Sequence, residues 1–286
     1  MIVTAKTRLC IVIGDPVAHS LGPQMYTAAY RKLHIDNLYR YVARRIRPGE
    51  LADFIAEVRD SEIRGVSCTI PHKVAVMPYL DVIDPVAKKI GAVNTIVNDG
   101  GVLKGYNTDW LGAVTALEGL TDLAGKTIAL LGAGGVARAI AYGLTTKGAR
   151  LTVYNRTIDR AQDIARKFGA DAGLLEDPAS LAAIKDMDII INATSLGLRA
   201  NEDKTPLAID FITNHHVVFD VVYSPYETRL LRDAKQQGAR IIHGMEMLLQ
   251  QGAAQFKLYT GYDAPEDVMR SVLRRALGVN GGDDAA

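Results

Sequence analysis

The chain has 286 residues, 48% of them hydrophobic and 23% charged, with a formal net charge of +1. That length is enough for two domains, and the composition is that of a globular protein rather than a disordered or collagenous one. The near-neutral charge gives no electrostatic basis for nucleic-acid or membrane binding, and no apolar run approaches the ~18 residues of a spanning helix. The start, Met1-Ile-Val-Thr-Ala-Lys-Thr-Arg8, lacks the long apolar stretch of a signal peptide, so a cytoplasmic protein is expected. Cys10 and Cys68 fall in apparent strands and read as reduced, buried thiols. Six histidines and two cysteines form no metal-ligand spacing, so no metal is expected. His215-His216 reads as a polar loop pair, and Gly281–Ala286 as a disordered tail.

Arg8–Ile13 is an apolar strand ending at Gly14-Asp15-Pro16, and Pro23–Leu33 has helical spacing. Leu38–Val42 is a strand with aromatic alternation, and Glu50–Arg59 is an amphipathic helix behind Pro48-Gly49. Gly65–Ile70 is a strand stopped by Pro71, which can open a helix at its first position. Ala92–Val97 and Val102–Gly105 read as a hairpin through Asn98-Asp99-Gly100-Gly101. This βαβαβ unit with an added hairpin predicts an open, mostly parallel α/β sheet. Asp109–Leu120 is a helix leading to a second domain. Strands follow at Lys126–Leu131, Arg150–Tyr154, Asp188–Asn192, Val217–Val222 and Arg240–His243, with helices between, which predicts a doubly wound sheet. Glu246–Tyr259 and Pro265–Leu277 are helical and are expected to pack back on the first domain. The predicted division is residues 1–108, completed by 245–286, and residues 109–244.

The strand at Ile128 runs into Gly132-Ala133-Gly134-Gly135-Val136-Ala137, a tight turn opening a helix. Gly132 permits the turn, and Gly134 lets backbone approach a pyrophosphate, whose charge favours the helix N-terminus. Such turns also occur without a ligand, so the next strand matters. It ends in Asn155-Arg156-Thr157, about twenty residues past the glycines, where an NAD site carries an acid for the ribose hydroxyls. Arg156, with Arg160 a turn later, suits a 2′-phosphate through charge-assisted bonds, although a solvated arginine at a strand end would read the same way. The expected second domain is therefore a Rossmann domain for NADP, and the first half is left to hold a substrate.

Two polar residues of the first half follow strands: Lys73, in Thr69-Ile-Pro-His-Lys73, and Asp109, in Gly105-Tyr-Asn-Thr-Asp109. Each alone reads as a solvated charge. Hydride transfer from a secondary alcohol needs a proton acceptor, and neither metal spacing nor a Tyr-x-x-x-Lys pair supplies one. A lysine can serve when burial or nearby cations lower its pKa, while a carboxylate raises it and orients the amine. The sequence leaves both directions open.

Several further runs stand in a fixed order: Gly14-Asp-Pro-Val-Ala-His-Ser20-Leu-Gly-Pro23, Gly65-Val-Ser-Cys-Thr-Ile-Pro-His-Lys73, Gly91-Ala-Val-Asn94-Thr and Asn107-Thr-Asp109. Gly132-Ala-Gly-Gly135, Asn155-Arg-Thr157, Asn192-Ala-Thr-Ser195, Asp220-Val-Val-Tyr223-Ser-Pro225 and Gly244-Met-Glu-Met-Leu-Leu-Gln-Gln251 follow. With these the chain resembles the shikimate dehydrogenases over essentially its whole length. The resemblance implies the reversible reduction of 3-dehydroshikimate to shikimate by NADPH, a step toward chorismate and the aromatic amino acids. Lys73 and Asp109 match the catalytic pair, with Lys73 relaying the proton of the reacting hydroxyl and Asp109 bonded to it and to the substrate. Ser20 matches a carboxylate-binding serine, Asn94 would hold substrate hydroxyls, and Ser67, Thr69, Tyr223 and Gln251 match other substrate positions. Gly132, Ala133, Gly134, Gly135, Val136, Asn155, Arg156, Thr157 and Arg160 would hold the dinucleotide, with Asn192, Thr194, Val221 and Gly244 near its nicotinamide end. A small hydroxylated anion needs such a ring of short polar side chains, because unpaired polar groups penalise wrong substrates. The expected partner is the small-molecule substrate alone, on a monomer or homodimer. Taken singly, Ser20 reads as a helix cap, Asn94 as a bend, Gln251 as a surface residue and Tyr223 as a core aromatic with a wet tip.

The chain departs from the family at three places. Gly22 stands where a second carboxylate-binding serine is usual, Met25-Tyr26-Thr27 where a Met-His-Asn-like run is usual, and Ser67 where Asn is common. Losing one hydroxyl would cost roughly 1.5–3 kcal/mol of substrate binding, part of which a water can recover. Tyr26 is a candidate replacement donor. Gly22 is expected to leave space beside the carboxylate and its ring carbon, which would suit quinate with its tertiary hydroxyl. A quinate/shikimate or related cyclohexenecarboxylate dehydrogenase is therefore the alternative. A non-catalytic NADP-binding regulator is a third reading, and the presence of both Lys73 and Asp109 counts against it.

Overall fold

The structure, a computed structural model, describes residues 7–198 and 201–279. Residues 281–286, expected to be disordered, lie outside the described residues. The chain divides into two compact units, Met1–Thr108 with Gln251–Ala286, and Asp109–Gln250. Among the described residues, each unit is built on a six-stranded sheet. No described helix is long and apolar enough to cross a membrane.

The first unit opens with β1 (Arg8–Gly14), α1 (Gly22–Lys32), β2 (Tyr39–Arg45), α2 (Leu51–Arg59) and β3 (Ile63–Cys68). It continues with α3 (His72–Ala75), β4 (Val82–Ile83), α4 (Pro85–Ile90), β5 (Thr95–Asp99) and β6 (Val102–Tyr106). The sheet order is β2-β1-β3-β5-β6-β4. β1 pairs parallel with both β2 and β3, whereas β5 runs antiparallel between β3 and β6. The β5–β6 hairpin turns through Gly100 and Gly101, both at positive φ, as a two-residue turn matching strand twist requires. The sequence reading lacked β4 and α4. The latter is a short helix set by its ends: the Asp84 carboxylate accepts the Val86 and Ala87 N–H groups, and Gly91 closes it in the left-handed conformation. Pro71 sits one residue before α3, at its N-cap position, rather than at the first helical position.

One sheet face carries a core of Ile11, Ile13, Leu51, Phe54, Val58 and Val66. The other meets α1 and the end of α10 (Gly244–Thr260), while α11 (Glu266–Ala276) packs on α1. The C-terminal helices thus return to the first sheet, as expected. Gly65 makes this packing feasible, since a Cβ there would lie 2.3 Å from the Tyr259 ring.

The second unit holds α5 (Asp109–Glu118), β7 (Thr127–Leu131), α6 (Gly135–Thr146), β8 (Arg150–Asn155), α7 (Ile158–Phe168) and β9 (Asp171–Leu174). It goes on through α8 (Pro178–Ala182), β10 (Ile189–Asn192), β11 (Val217–Asp220), α9 (Arg229–Gln236) and β12 (Arg240–Ile242). Its order, β12-β11-β10-β7-β8-β9, is parallel throughout. Read from β7, this is the dinucleotide-binding order, with the switch point between β7 and β10. Side chains alternate between two cores: Ile128 and Leu130 face one, Ala129 and Leu131 the other. β9 was not expected. His216 is buried rather than loop-exposed: its Nδ1 accepts the Thr213 N–H and its Nε2 lies 3.1 Å from the Ile184 carbonyl.

Candidate active site

In the first unit the candidate residues gather where β1 and β3 end. Parallel neighbours send their loops off the same edge, the usual place for ligands in open sheets. The two loops touch, since a Cβ on Gly14 would lie 2.5 Å from the Thr69 methyl and the Asp15 N–H donates to the Ile70 carbonyl at 2.9 Å. Lys73, half-buried in α3, is tied to the next motif through its carbonyl, which accepts the Val93 N–H at 2.7 Å. Antiparallel pairing of β5 with β3 brings Asn94, just before β5, to the same edge.

Asn94 is 1% exposed. Its Oδ1 accepts from the Thr108 N–H (2.8 Å) and the Thr95 hydroxyl (2.7 Å), and its Nδ2 donates to Thr108 Oγ1 (2.9 Å) and Gln251 Oε1 (3.4 Å). Asn94 and Gln251 are thus brought together, and neither is a bend marker or an isolated surface polar group. Ser20 lies before Leu21, the N-cap of α1, and its Oγ accepts the Gly22 N–H at 3.2 Å. The oxygen is engaged, and among the described residues no group accepts the hydroxyl proton.

The three departures from the family pattern meet in one place. Tyr26 is buried, its ring stacked on Tyr41 at 4.1 Å and 2°. Its single hydroxyl proton is shared between the Gly252 carbonyl (3.0 Å) and Gln255 Oε1 (2.9 Å), so Tyr26 serves this network and not the carboxylate. Ser67 accepts from the Tyr41 hydroxyl (2.7 Å), lies 2.9 Å from the Tyr259 hydroxyl and donates to Gln255 Oε1 (2.8 Å). The expected room at Gly22 is absent: a Cβ there would lie 3.1 Å from Tyr41 Cε1 and 3.3 Å from Ser20 Oγ. Burial pushes the Tyr26, Tyr41 and Tyr259 phenols well above their ordinary pKa, so all three stay neutral. Tyr41, Gln255 and Tyr259 escaped the sequence reading. The spacing of Gln251, Gln255 and Tyr259 along one helix face is the signal that could have found two of them.

In the second unit Asp109 is the buried first residue of α5, and Tyr223 is half-buried in the loop after β11. The strand ends line up at one edge. Gly132 has φ +110, and a Cβ on it would lie 2.9 Å from the Ala193 carbonyl, so the loops after β7 and β10 abut at the switch point. Gly134 faces open space, and α6 begins beyond it with no side-chain cap and no acidic residue in its first turn. That N-terminus fits a pyrophosphate. Ala133 and Val136 are half-buried against the core, as is Val221. Asn155 fixes the β8 loop by donating to the Thr157 carbonyl (2.9 Å), and Arg156, Thr157 and Arg160 are exposed, as a site for a 2′-phosphate needs. Gly244 opens α10, where a Cβ would lie 2.5 Å from the Val222 carbonyl oxygen.

A carboxylate that the sequence reading did not single out organises this edge. Asp220 is fully buried and accepts from Asn192 Nδ2 (2.9 Å), the Val222 N–H (3.0 Å) and the Thr228 hydroxyl (2.6 Å). Asn192 Oδ1 in turn accepts the Thr194 N–H (2.9 Å) and hydroxyl (2.7 Å). Burial pushes the Asp220 pKa up to about 6, against the pull of its three donors. Among the described residues no group of His, Cys, Asp and Glu could hold a metal ion.

A parallel-rich α/β unit with a polar edge, joined in one chain to a dinucleotide-binding unit, defines a two-unit α/β oxidoreductase. The model of the shikimate dehydrogenase substrate-binding domain matches residues 12–96, that of shikimate / quinate 5-dehydrogenase residues 115–204, and that of the shikimate 5′-dehydrogenase C-terminal domain residues 244–274. Shikimate dehydrogenase (NADP+) of Moorella thermoacetica is 45% identical, covering 99% of this chain and 98% of that protein. A crystal structure of a shikimate dehydrogenase in complex with NADP+ superposes with a TM-score of 0.90 at 37% identity, covering 96% of this chain and 98% of that one. The Thermus thermophilus enzyme in complex with NADP(H) and shikimate gives 0.87 at 38% identity, covering 95% and 100%. The chain belongs to the shikimate dehydrogenase family.

Proposed function

We infer that the first unit holds the acid, that the second holds the dinucleotide, and that Lys73 and Asp109 carry the proton chemistry. As a family member the chain is an NADP-dependent oxidoreductase that interconverts 3-dehydroshikimate and shikimate. A bound nicotinamide would supply or accept the hydride. Lys73 takes the proton of the reacting hydroxyl as it becomes a carbonyl and returns it in reverse, and Asp109 supplies the carboxylate that the family pairs with it. Ser20 donates its free proton to the substrate carboxylate. Asn94, its amide held by Thr95 and Thr108, would meet a ring hydroxyl by exchanging its long 3.4 Å bond to Gln251 for one to the substrate. In the second unit Gly134 and the start of α6 would hold the pyrophosphate, and Arg156 with Arg160 the 2′-phosphate.

The observation that carries this reading is the gathering of Ser20, Thr69, Lys73 and Asn94 at one sheet edge. The quinate alternative rested on room beside Gly22, and Tyr41 takes that room. Initial rates of NADP reduction with shikimate and with quinate, each repeated with NAD, test the proposal. Turnover with shikimate and NADP, and far less with quinate or NAD, is expected. No shikimate turnover, or equal turnover of quinate, would overturn it.

A further inference from the structure

Gly22 stands where the family usually places a serine that bonds the substrate carboxylate, so a side chain at 22 would point at that carboxylate. In this chain the direction is filled by a ring. A Cβ at 22 would lie 3.1 Å from Tyr41 Cε1 and 3.5 Å from its hydroxyl oxygen. The ring is fixed at one face and at its tip: Tyr26 stacks flat on it at 4.1 Å, and its hydroxyl proton is committed to Ser67 Oγ at 2.7 Å. Ser67 cannot retreat, because it also donates to Gln255 Oε1 and meets the Tyr259 hydroxyl. With its proton committed, Tyr41 offers no donor to the carboxylate. What it brings to the pocket is a wall.

We propose that Tyr41 is the specificity-determining residue of the acid pocket: it fills the place of side chain 22 and closes the wall beside the carboxylate, excluding acids that carry a further substituent on the carbon bearing that carboxylate. The missing serine and the added wall are one device. Ser20 alone donates, and shape selects where a second hydroxyl would otherwise bond. This reading rests on the assignment of Ser20 to the substrate carboxylate.

The test is the ratio of kcat/KM for quinate to that for shikimate, with NADP, in wild type, Tyr41→Ala, Tyr41→Leu and Tyr41→Phe. Removing the ring should raise the ratio by about 10- to 100-fold, the range for opening a pocket by a small group. Tyr41→Phe keeps the ring and should leave the ratio within about threefold of wild type. A purely structural role would lower both kcat/KM values together and leave the ratio alone. An unchanged ratio in Tyr41→Ala and Tyr41→Leu, each shown folded by circular dichroism, would overturn the proposal, as would a Tyr41→Phe ratio that rises with them. Gly22→Ser keeps the assay decisive should the ring deletions fail to fold. With Tyr41 held in place, a Cβ at 22 would press on its ring at 3.1 Å and on Ser20 Oγ at 3.3 Å, so kcat/KM for shikimate should fall, and a gain would overturn the proposal. A wild-type chain inactive on shikimate overturns the parent reading as well, whereas shikimate turnover with an unmoved ratio overturns this one alone.

Discussion

Replacing Asp220 with asparagine should change how the second unit responds to pH, in a direction opposite to that of most carboxylates. Asp220 is fully buried, and burial raises its pKa to about 6 even though Thr228, Val222 and Asn192 all donate to it. An aspartate in the unfolded chain titrates near 3.9. The folded state therefore binds this proton more tightly than the unfolded state does. The stability it contributes is fully present below about pH 3.9 and is lost as pH rises through about 6. Between pH 7 and pH 4.5 the linkage amounts to about 2 kcal/mol. The Asp220→Asn variant has no such proton, so wild type should gain about 2 kcal/mol on it over that interval. Asp188, whose burial is outweighed by Thr127 and Lys126 and which is held at about 2, loses stability on acidification, but equally in both proteins. Trp110 is the chain's single tryptophan, lies in the second unit and packs edge-on to Tyr142 at 5.6 Å, so its fluorescence reports the unfolding in urea. A wild-type-minus-variant difference that is the same at both pH values would refute the assignment of a buried, proton-hungry carboxylate.

Three further outcomes are expected. Lys73→Ala should cut kcat by orders of magnitude while NADP affinity, read by fluorescence titration, stays near wild type, and a large loss of cofactor binding would contradict the role given to Lys73. Arg156→Ala should raise the dissociation constant for NADP by about 10- to 100-fold, the worth of one charge-assisted bond, and leave NAD nearly unchanged. Equal effects on both nucleotides would overturn the 2′-phosphate assignment. Gly65→Ala should destabilise the first unit by about 1–3 kcal/mol, because its methyl would lie 2.3 Å from the Tyr259 ring, and an unchanged Tm would refute that packing.

Much of the fold was legible because its signals are local. The apolar run at Ile128 with three glycines behind it, and the two-residue turn at Gly100-Gly101, dictate backbone geometry within a few residues. What escaped was short or shaped from outside. Val82–Ile83 is a two-residue strand with no period to read, and Asp171–Leu174 mixes polar and small residues at a sheet edge. The site divided in the same way. Lys73 and Asp109 stood out as polar residues after strands, whereas Ser20, Thr69 and Asn94 entered only through the family resemblance. The room predicted at Gly22 was not there, because the ring that fills it is nineteen positions away on β2 and is aimed by pairing and stacking. Asp220 read as one member of the Val217–Val222 strand until its burial and three donors were seen.

The departures at 22, 26 and 67 read in sequence as three separate changes, but in the fold they share atoms. Gln255 Oε1 accepts from both Tyr26 and Ser67, and Ser67 Oγ accepts the proton of Tyr41, whose ring faces Gly22. Tyr26→Phe removes one donor to Gln255 and leaves Ser67 in place, so a cost of about 1 kcal/mol is expected. Ser67→Ala leaves the Tyr41 hydroxyl buried without its acceptor and takes Ser67 Oγ away from the Tyr259 hydroxyl, at about 1–3 kcal/mol for each orphaned group. In the double variant Gln255 Oε1 loses both hydroxyl donors, a penalty that neither single change incurs. The double-mutant cycle in urea should therefore show a coupling of about 0.5–3 kcal/mol beyond the sum of the singles. A coupling indistinguishable from zero would mean that the tyrosines and Ser67 stabilise the sheet independently. Tyr41 would then lack the rigid backing that a selective wall requires.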